Sequence, residues 1–192
     1  PWEDLGNEII IADVGAGVGW TSAILAMNPN VKKVYCVEPS INRAKSNSYL
    51  LDYFNVDKSK VKVIEGDFKD FNLPEKVNYT VLCASFHHCV DSLQAKLFQN
   101  IKKNTKGENV GVLIANEHYV NIFWSIKKIL LYYLKHNSKE RKELFWGPGN
   151  WRAPNPWDFE HHRVWKECDK IFKDHGFDCI LYKHNGDLCM DK

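Results

Sequence analysis

Strand-length apolar runs alternate with helix-length amphipathic ones through most of this chain. That pattern predicts an α/β fold in which a mostly parallel sheet carries helices on both faces. Two further observations support the class. The first apolar run, from Ile9 to Asp13, breaks at once into Gly15-x-Gly17-x-Gly19 and then helix-compatible sequence, which is how a parallel strand turns sharply into a helix. Length is the other: 192 residues are enough for one domain with a full core and too few for two comfortable ones.

The elements follow in order. Gly19 to Met27 reads as the first helix, stopped by Asn28-Pro29. Lys33 to Glu38 (KVYCVE) reads as a second buried strand ending in a carboxylate, and Ser40 is placed to cap a helix running to about Phe54. Val61 to Glu65 is a short β-branched strand followed by Gly66-Asp67-Phe68. Tyr79 to Ser85 (YTVLCAS) is a fourth apolar strand, opening into Phe86-His87-His88. Asp91 and Gln94 begin the next helix in the manner of a capping box, with Leu93, Leu97, Phe98 and Ile101 as its apolar stripe. Gly107 releases the chain into a fifth strand, Asn109 to Ala115.

The remainder is less regular. An insertion at about 117–157 exceeds ordinary loop length. Its first part, Val120 to Leu134, is apolar on nearly every face yet carries Lys127 and Lys128, and its second spaces Trp146, Trp151 and Trp157 among prolines and glycines. Within a single domain spanning 1–192 it reads as an aromatic lid beside a site, or as a plug for space that helices upstream of the first strand would fill. Phe159 to His175 reads as the last helix, with Trp165, Cys168 and Phe172 on one face and Gly176 as its stop. Phe177 to Tyr182 and Leu188 to Met190 flank Asn185-Gly186, a strong hairpin signal.

The glycine spacing narrows the ligand. A dinucleotide fingerprint is Gly-x-Gly-x-x-Gly; here the third glycine comes one residue early and Trp20 stands in its place. Asp13, two residues before the loop, would repel a pyrophosphate and suit a positively charged ligand. Glu38 stands about twenty residues past the glycines, the place from which a carboxylate reaches ribose hydroxyls.

Taken with Gly66-Asp67-Phe68 and the Tyr79–His88 segment, this order of landmarks resembles the class I S-adenosylmethionine (SAM) dependent methyltransferases, over roughly Ile9 to Ala115. The resemblance implies a Rossmann-like, seven-stranded, mostly parallel sheet with a C-terminal antiparallel hairpin. It implies SAM as cofactor, with Asp13, Gly15, Ala16, Gly17 and Gly19 around the methionine part and Glu38 on the ribose. Pro39 would press on one adenine face, Asp67 would accept from the adenine amino group with Phe68 along the ring, and Ala84 would begin the loop to which the methyl group points. One departure is visible: Tyr79 occupies the position where the family's fourth motif commonly has aspartate.

Methyl transfer from a sulfonium requires alignment, exclusion of water and sometimes removal of a proton. His88, His87 and Glu117 are the candidate bases, with His118 beside them, all at the C-terminal ends of expected strands; packing or capping is the structural alternative for each histidine. His161 and His162 are adjacent and cannot share a helix face, so they do not suggest a metal pair. The chain lacks an Asn-Pro-Pro-Tyr or Asp-Pro-Pro-Tyr sequence after the fourth strand, a Pro-Cys nucleophile, and the carboxylate set of metal-dependent enzymes. A metal-independent O- or N-methyltransferase acting on a small-molecule acceptor is what remains. Arg152, among the lid tryptophans, would meet a carboxylate or phosphate on such a substrate, or simply be solvated.

Bulk composition agrees. A formal net charge of +2 argues against a nucleic-acid partner, which calls for a concentrated basic face. The 6 cysteines lie apart without Cys-x-x-Cys pairing, which reads as buried thiols in a reducing, cytoplasmic setting. No membrane span is visible in the sequence, and a homodimer is compatible with it. Three alternatives stand beside the main reading: a non-catalytic SAM-binding or interaction subunit, an NAD(P)-dependent oxidoreductase, and a membrane-surface helix at Val120 to Lys135 serving a lipid acceptor.

Overall fold

A computed structural model describes residues 8–107, 111–115, 165–184 and 187–191. Five parallel strands form the centre: β1 (Ile9–Val14), β2 (Val31–Glu38), β3 (Val61–Glu65), β4 (Tyr79–Cys83) and β5 (Gly111–Ala115), in the spatial order β3-β2-β1-β4-β5. Helix α1 (Trp20–Met27) joins β1 to β2, α2 (Ile41–Lys45) and α3 (Asn47–Tyr53) lead toward β3, and α4 (Asp91–Asn104) lies between β4 and β5. Helix α5 (Trp165–Asp174) follows. Beyond β5 the backbone of β7 (Asp187–Asp191) pairs antiparallel with β5, and β6 (Ile180–His184) pairs antiparallel with β7. Residues 185–186, and with them the expected Asn-Gly turn, lie outside the described residues, as do 116–164.

The chain steps outward from β1 to β3 and then returns to place β4 on the other side of β1. That reversal makes the carboxyl ends of β1 and β4 a topological switch point, where the helices diverge and leave a crevice. β1 is the central strand and every residue of it is buried, which accounts for its unbroken apolar run. β3 is an edge strand, half-buried, with Lys62 exposed.

Packing on the two faces is unequal. On one face Ile10, Ala12, Val14 and Leu82 meet Leu97, Phe98 and Ile101 of α4 and Cys168 and Phe172 of α5. Phe98 stands edge-on to Phe172 at 4.8 Å between ring centroids, so Phe98→Ala in this layer would cost about 3–5 kcal/mol. The other face buries Ile9, Ile11, Val34 and Val81 against α1, while Trp20, Ile24, Met27, Tyr49 and Tyr53 remain exposed on α1 and α3. Cys36, Cys89 and Cys168 are buried thiols, consistent with their reading as small core residues.

Three local expectations are corrected. The helix expected from Ser40 to Phe54 is broken at Ser46 into α2 and α3, and the break sets buried Asn47 where its amide donates to Gly19 O at 3.1 Å. Ser40 holds the N-cap position of α2 but its hydroxyl caps nothing; its backbone N–H donates to Glu38 Oε1 instead. At α4 the N-cap is Val90, so Asp91 and Gln94 are not a capping box: Gln94 Nε2 donates to Asp91 Oδ1 at 2.8 Å within the first turn.

Candidate functional site

The glycine loop leaves β1 and is held from below. Gly15 N and Ala16 N both donate to Val37 O, at 2.9 and 3.1 Å, tying the loop to β2. Gly15 has φ +75°, and a side chain there would meet Ser85 Cβ at 2.7 Å and the Phe68 ring at 3.5 Å. Gly19 has φ +89° and abuts Asn47 so closely that a Cβ would lie 2.8 Å from Asn47 Cγ. Both positions need left-handed backbone and have no room for a side chain. Glycines at these positions let a ligand lie close to the main chain.

Beneath it lies Asp13, fully buried, accepting from the Ser22 hydroxyl at 2.6 Å. Burial pushes its carboxyl up to about 6; the Ser22 hydroxyl and backbone amide oppose that, and the negative charge of Glu38 adds to it. Burial likewise lifts the thiol of Cys36, its register partner on β2, to about 11. A carboxylate kept dry and under-compensated in this way favours a cation placed above it.

Glu38 ends β2 with its side chain almost wholly buried. Its Oε2 accepts from Gly17 N at 2.9 Å, so the acid and the loop form one unit. Arg43 Nη1 stands 3.8 Å from Oε1. Pro39, next in the chain, is exposed on the same rim.

At the end of β3, Asp67 shapes its own turn. Oδ1 accepts from Lys69 N and Asp70 N at 2.9 and 3.1 Å, and Lys69 Nζ lies 3.5 Å from Oδ2. Phe68 is half-buried with its ring toward Gly15, and its carbonyl accepts from Asn100 of α4 at 3.3 Å.

The end of β4 completes the crevice. Ala84 is exposed and has φ +47°, a left-handed conformation that costs a residue with a Cβ on the order of 1–2 kcal/mol. Ser85 is buried, its hydroxyl donating to Val14 O at 2.9 Å, and so fastens the β4 exit to the start of the glycine loop. One turn of tight helix, Phe86–His88, then buries His87 and exposes His88, with ring centroids 4.1 Å apart.

The sequence-derived residues Asp13, Gly15, Ala16, Gly17, Gly19, Glu38, Pro39, Asp67, Phe68 and Ala84 thus sit at or just beyond the carboxyl ends of β1 to β4. A hydrogen bond joins the glycine loop to Glu38, another joins the β4 exit to Val14 at the loop's start, and the Phe68 ring closes the space beside Gly15. Glu117, His118, Arg152, His161 and His162 and the lid tryptophans lie outside the described residues. Ser22, Asn47, Ser85 and Arg43 are further site residues that sequence reasoning did not single out. Ser22 alone offered a signal, as a hydroxyl in the first turn of the helix that follows the loop. Among the described residues no group of three or more His, Cys, Asp or Glu side chains is placed to hold a metal ion. No helix among them is long and apolar enough to cross a membrane.

These residues fit an adenosine-bearing sulfonium. The glycines leave the loop without side chains, Glu38 has a lone pair left on each oxygen, and burial of Asp13 favours a positive charge beside it.

A family described as methyltransferase domains matches residues 11–108. No curated protein matches the sequence. Solved structures do match by fold. A putative O-methyltransferase from Nostoc punctiforme aligns with a TM-score of 0.70 and 14% identity, covering 99% of this chain and 53% of that one. Magnesium protoporphyrin IX methyltransferase from Synechocystis, solved with bound S-adenosylhomocysteine (SAH), gives 0.65 and 11%, covering 98% and 74%. YcgJ from Bacillus subtilis gives 0.62 and 14%, covering 93% of this chain and 65% of that one. The chain therefore spans about half to three quarters of the length of these structures.

Proposed function

The chain belongs to the SAM-dependent methyltransferase family of class I, whose cofactor is S-adenosylmethionine, and from that premise we propose that it transfers a methyl group to oxygen or nitrogen of a small-molecule acceptor without a metal. The observation that carries this reading is the junction of loop and acid: Gly17 N–H on Glu38 Oε2, with buried Asp13 near enough to feel the Glu38 charge, at the switch point of the sheet. It combines a site for a cation with one for a diol, which a sulfonium nucleoside needs together.

The cofactor, when bound, supplies a methyl group already activated by the sulfonium. The chain's own residues bind and align. Asp13 holds negative charge under the amino-acid end. The loop from Gly15 to Gly19, held by its own N–H groups on Val37 O, Glu38 and Ala16 O, lets the ligand lie close along a backbone free of side chains at the glycines. Glu38 accepts from ribose hydroxyls, while Pro39, Asp67 and Phe68 bound the adenine. Ala84 opens the wall toward the acceptor, and His88, exposed at that wall, removes a proton from the acceptor hydroxyl or amine where one must leave. His87 and Glu117 are the alternative bases. On this assignment His88→Ala lowers turnover far more than cofactor affinity.

The same proposal takes the full architecture as seven-stranded with a C-terminal hairpin, supported by the backbone pairing of β6 with β7. It takes segment 117–157 as an aromatic lid within one domain, supported by its four tryptophans, and a reducing cytoplasmic location, supported by the buried thiols. A second reading, a non-catalytic SAM-binding subunit, is favoured by one observation. Tyr79, standing where the family's aspartate is usual, packs its ring on Gly111 inside the sheet and brings no carboxylate to the site.

Calorimetric titration with SAH beside NAD tests the cofactor assignment. Micromolar binding of SAH with none of NAD is expected; the reverse order would refute it. Methyl transfer to a panel of hydroxyl and amine acceptors then separates the enzyme from the binding subunit.

A further inference from the structure

Glu38 can accept two more hydrogen bonds, one on each oxygen, because Gly17 N and Ser40 N occupy a single lone pair apiece. Its difficulty is access: the side chain is 4% exposed. The Gly17 and Ser40 amides that help enclose it are backbone and stay in place. Arg43 is different. Its Nη1 stands 3.8 Å from Oε1, too long for a hydrogen bond, and its Nη2 lies 3.2 Å from where a Cβ on Gly17 would be. The guanidinium therefore spans from the acid to the glycine loop, over the ground a ribose must cross. Its own side chain is 63% exposed and is fastened to Glu38 by charge alone.

We propose that Arg43 is a positioning residue that gates the ribose subsite: it covers Glu38 in the ligand-free protein and swings into solvent when a nucleoside with vicinal hydroxyls takes the carboxylate. This rests on the assignment of Glu38 to ribose made above. Three consequences separate the gate from a merely structural arginine. Ligand affinity is reduced by the fraction of time the gate is open, so removing the gate tightens binding. The gain appears in the association rate. Added salt screens the Arg43–Glu38 attraction and moves wild type toward the ungated protein.

The experiment is calorimetry and stopped-flow binding of SAH to wild type, Arg43→Ala and Arg43→Gln, each at low and high salt, with thermal unfolding as a check on folding. Both variants are expected to bind SAH about three- to tenfold more tightly than wild type at low salt, through faster association, with the difference shrinking at high salt. In a Glu38→Gln background Arg43→Ala should make no difference. Unchanged or weaker SAH binding by both folded variants overturns the gate while leaving the cofactor assignment intact. Failure of wild type and variants alike to bind SAH overturns the cofactor assignment, and the gate with it.

Discussion

At the carboxyl ends of β1 and β2 nearly every polar group is fixed by a second one. Ser22 holds Asp13, Gly17 holds Glu38, and Asn47 holds the Gly19 carbonyl. At the end of β4 the backbone is strained at Ala84 and then presents His88 to solvent, beside a buried His87. The two ends face one crevice but answer to different demands. On the proposed assignment the cofactor meets a preset cradle, where each donor and acceptor is placed before the ligand arrives, and the acceptor meets a wall whose side chains face outward from a fixed turn.

Substitutions on the two sides put this contrast to the test. The largest expected effect is at Gly19→Ala, which forces a Cβ into Asn47 at a left-handed position. It should destabilise the fold by about 3–5 kcal/mol and lower Tm by on the order of 10 °C in a thermal melt. A change under about 1 kcal/mol would mean that the cradle is not preset.

Asp13→Asn comes next and is read through pH. The folded carboxyl titrates at about 6 against an ordinary 3.8, so the folded state holds this proton more tightly than the unfolded chain. Its contribution to stability is fully present below the lower value, declines as pH rises between the two, and is gone above about 6. Relative to wild type, the Asn variant should gain on the order of 3 kcal/mol between about pH 4 and pH 7 in urea titrations, and lose cofactor affinity at neutral pH. A pH-independent difference would show that Asp13 is not under-compensated.

Glu38→Ala should weaken SAH binding by roughly 1.5–3 kcal/mol, the value of hydrogen bonds to a charged group. A loss no larger than that of a surface substitution would detach the acid from the ligand. The smallest effect belongs to the outward wall: His88→Ala should alter stability by less than about 0.5 kcal/mol and leave SAH affinity unchanged, whereas buried His87→Ala should destabilise measurably. Equal destabilisation by the two would remove the distinction between cradle and wall.

What could be read along the chain was whatever is written locally. The apolar run of β1, the glycine spacing, the β-branched stretch of β3, whose bounds match the structure residue for residue, and the stripe of α4 are periodic or punctuated signals. What could not be read depends on meetings between distant residues. The break at Ser46 is visible only once Asn47 is seen to reach Gly19, 28 positions away. Ser85 is unremarkable in sequence and decisive in space. Arg43 resembles any solvated arginine until its guanidinium is found between Glu38 and the loop. At Ser40 the hydroxyl caps nothing while the backbone amide donates to Glu38, and Asp91 already lies inside the helix whose N-cap is Val90.

The bond from Ser85 to Val14 spans 71 positions, and that between Asn78 and Ile10 spans 68. Contacts so far apart close long loops at an entropic cost, so we expect them to form after β1, β2 and β3 associate. A partly folded chain that holds only those three strands has the glycines and Glu38 but lacks Ser85 beside Gly15. Ligand that binds the finished crevice therefore favours only the fully paired sheet. Its stabilisation is felt by the whole domain, and protection from proteolysis on ligand addition should extend to β4 and α4 as well as to the loop.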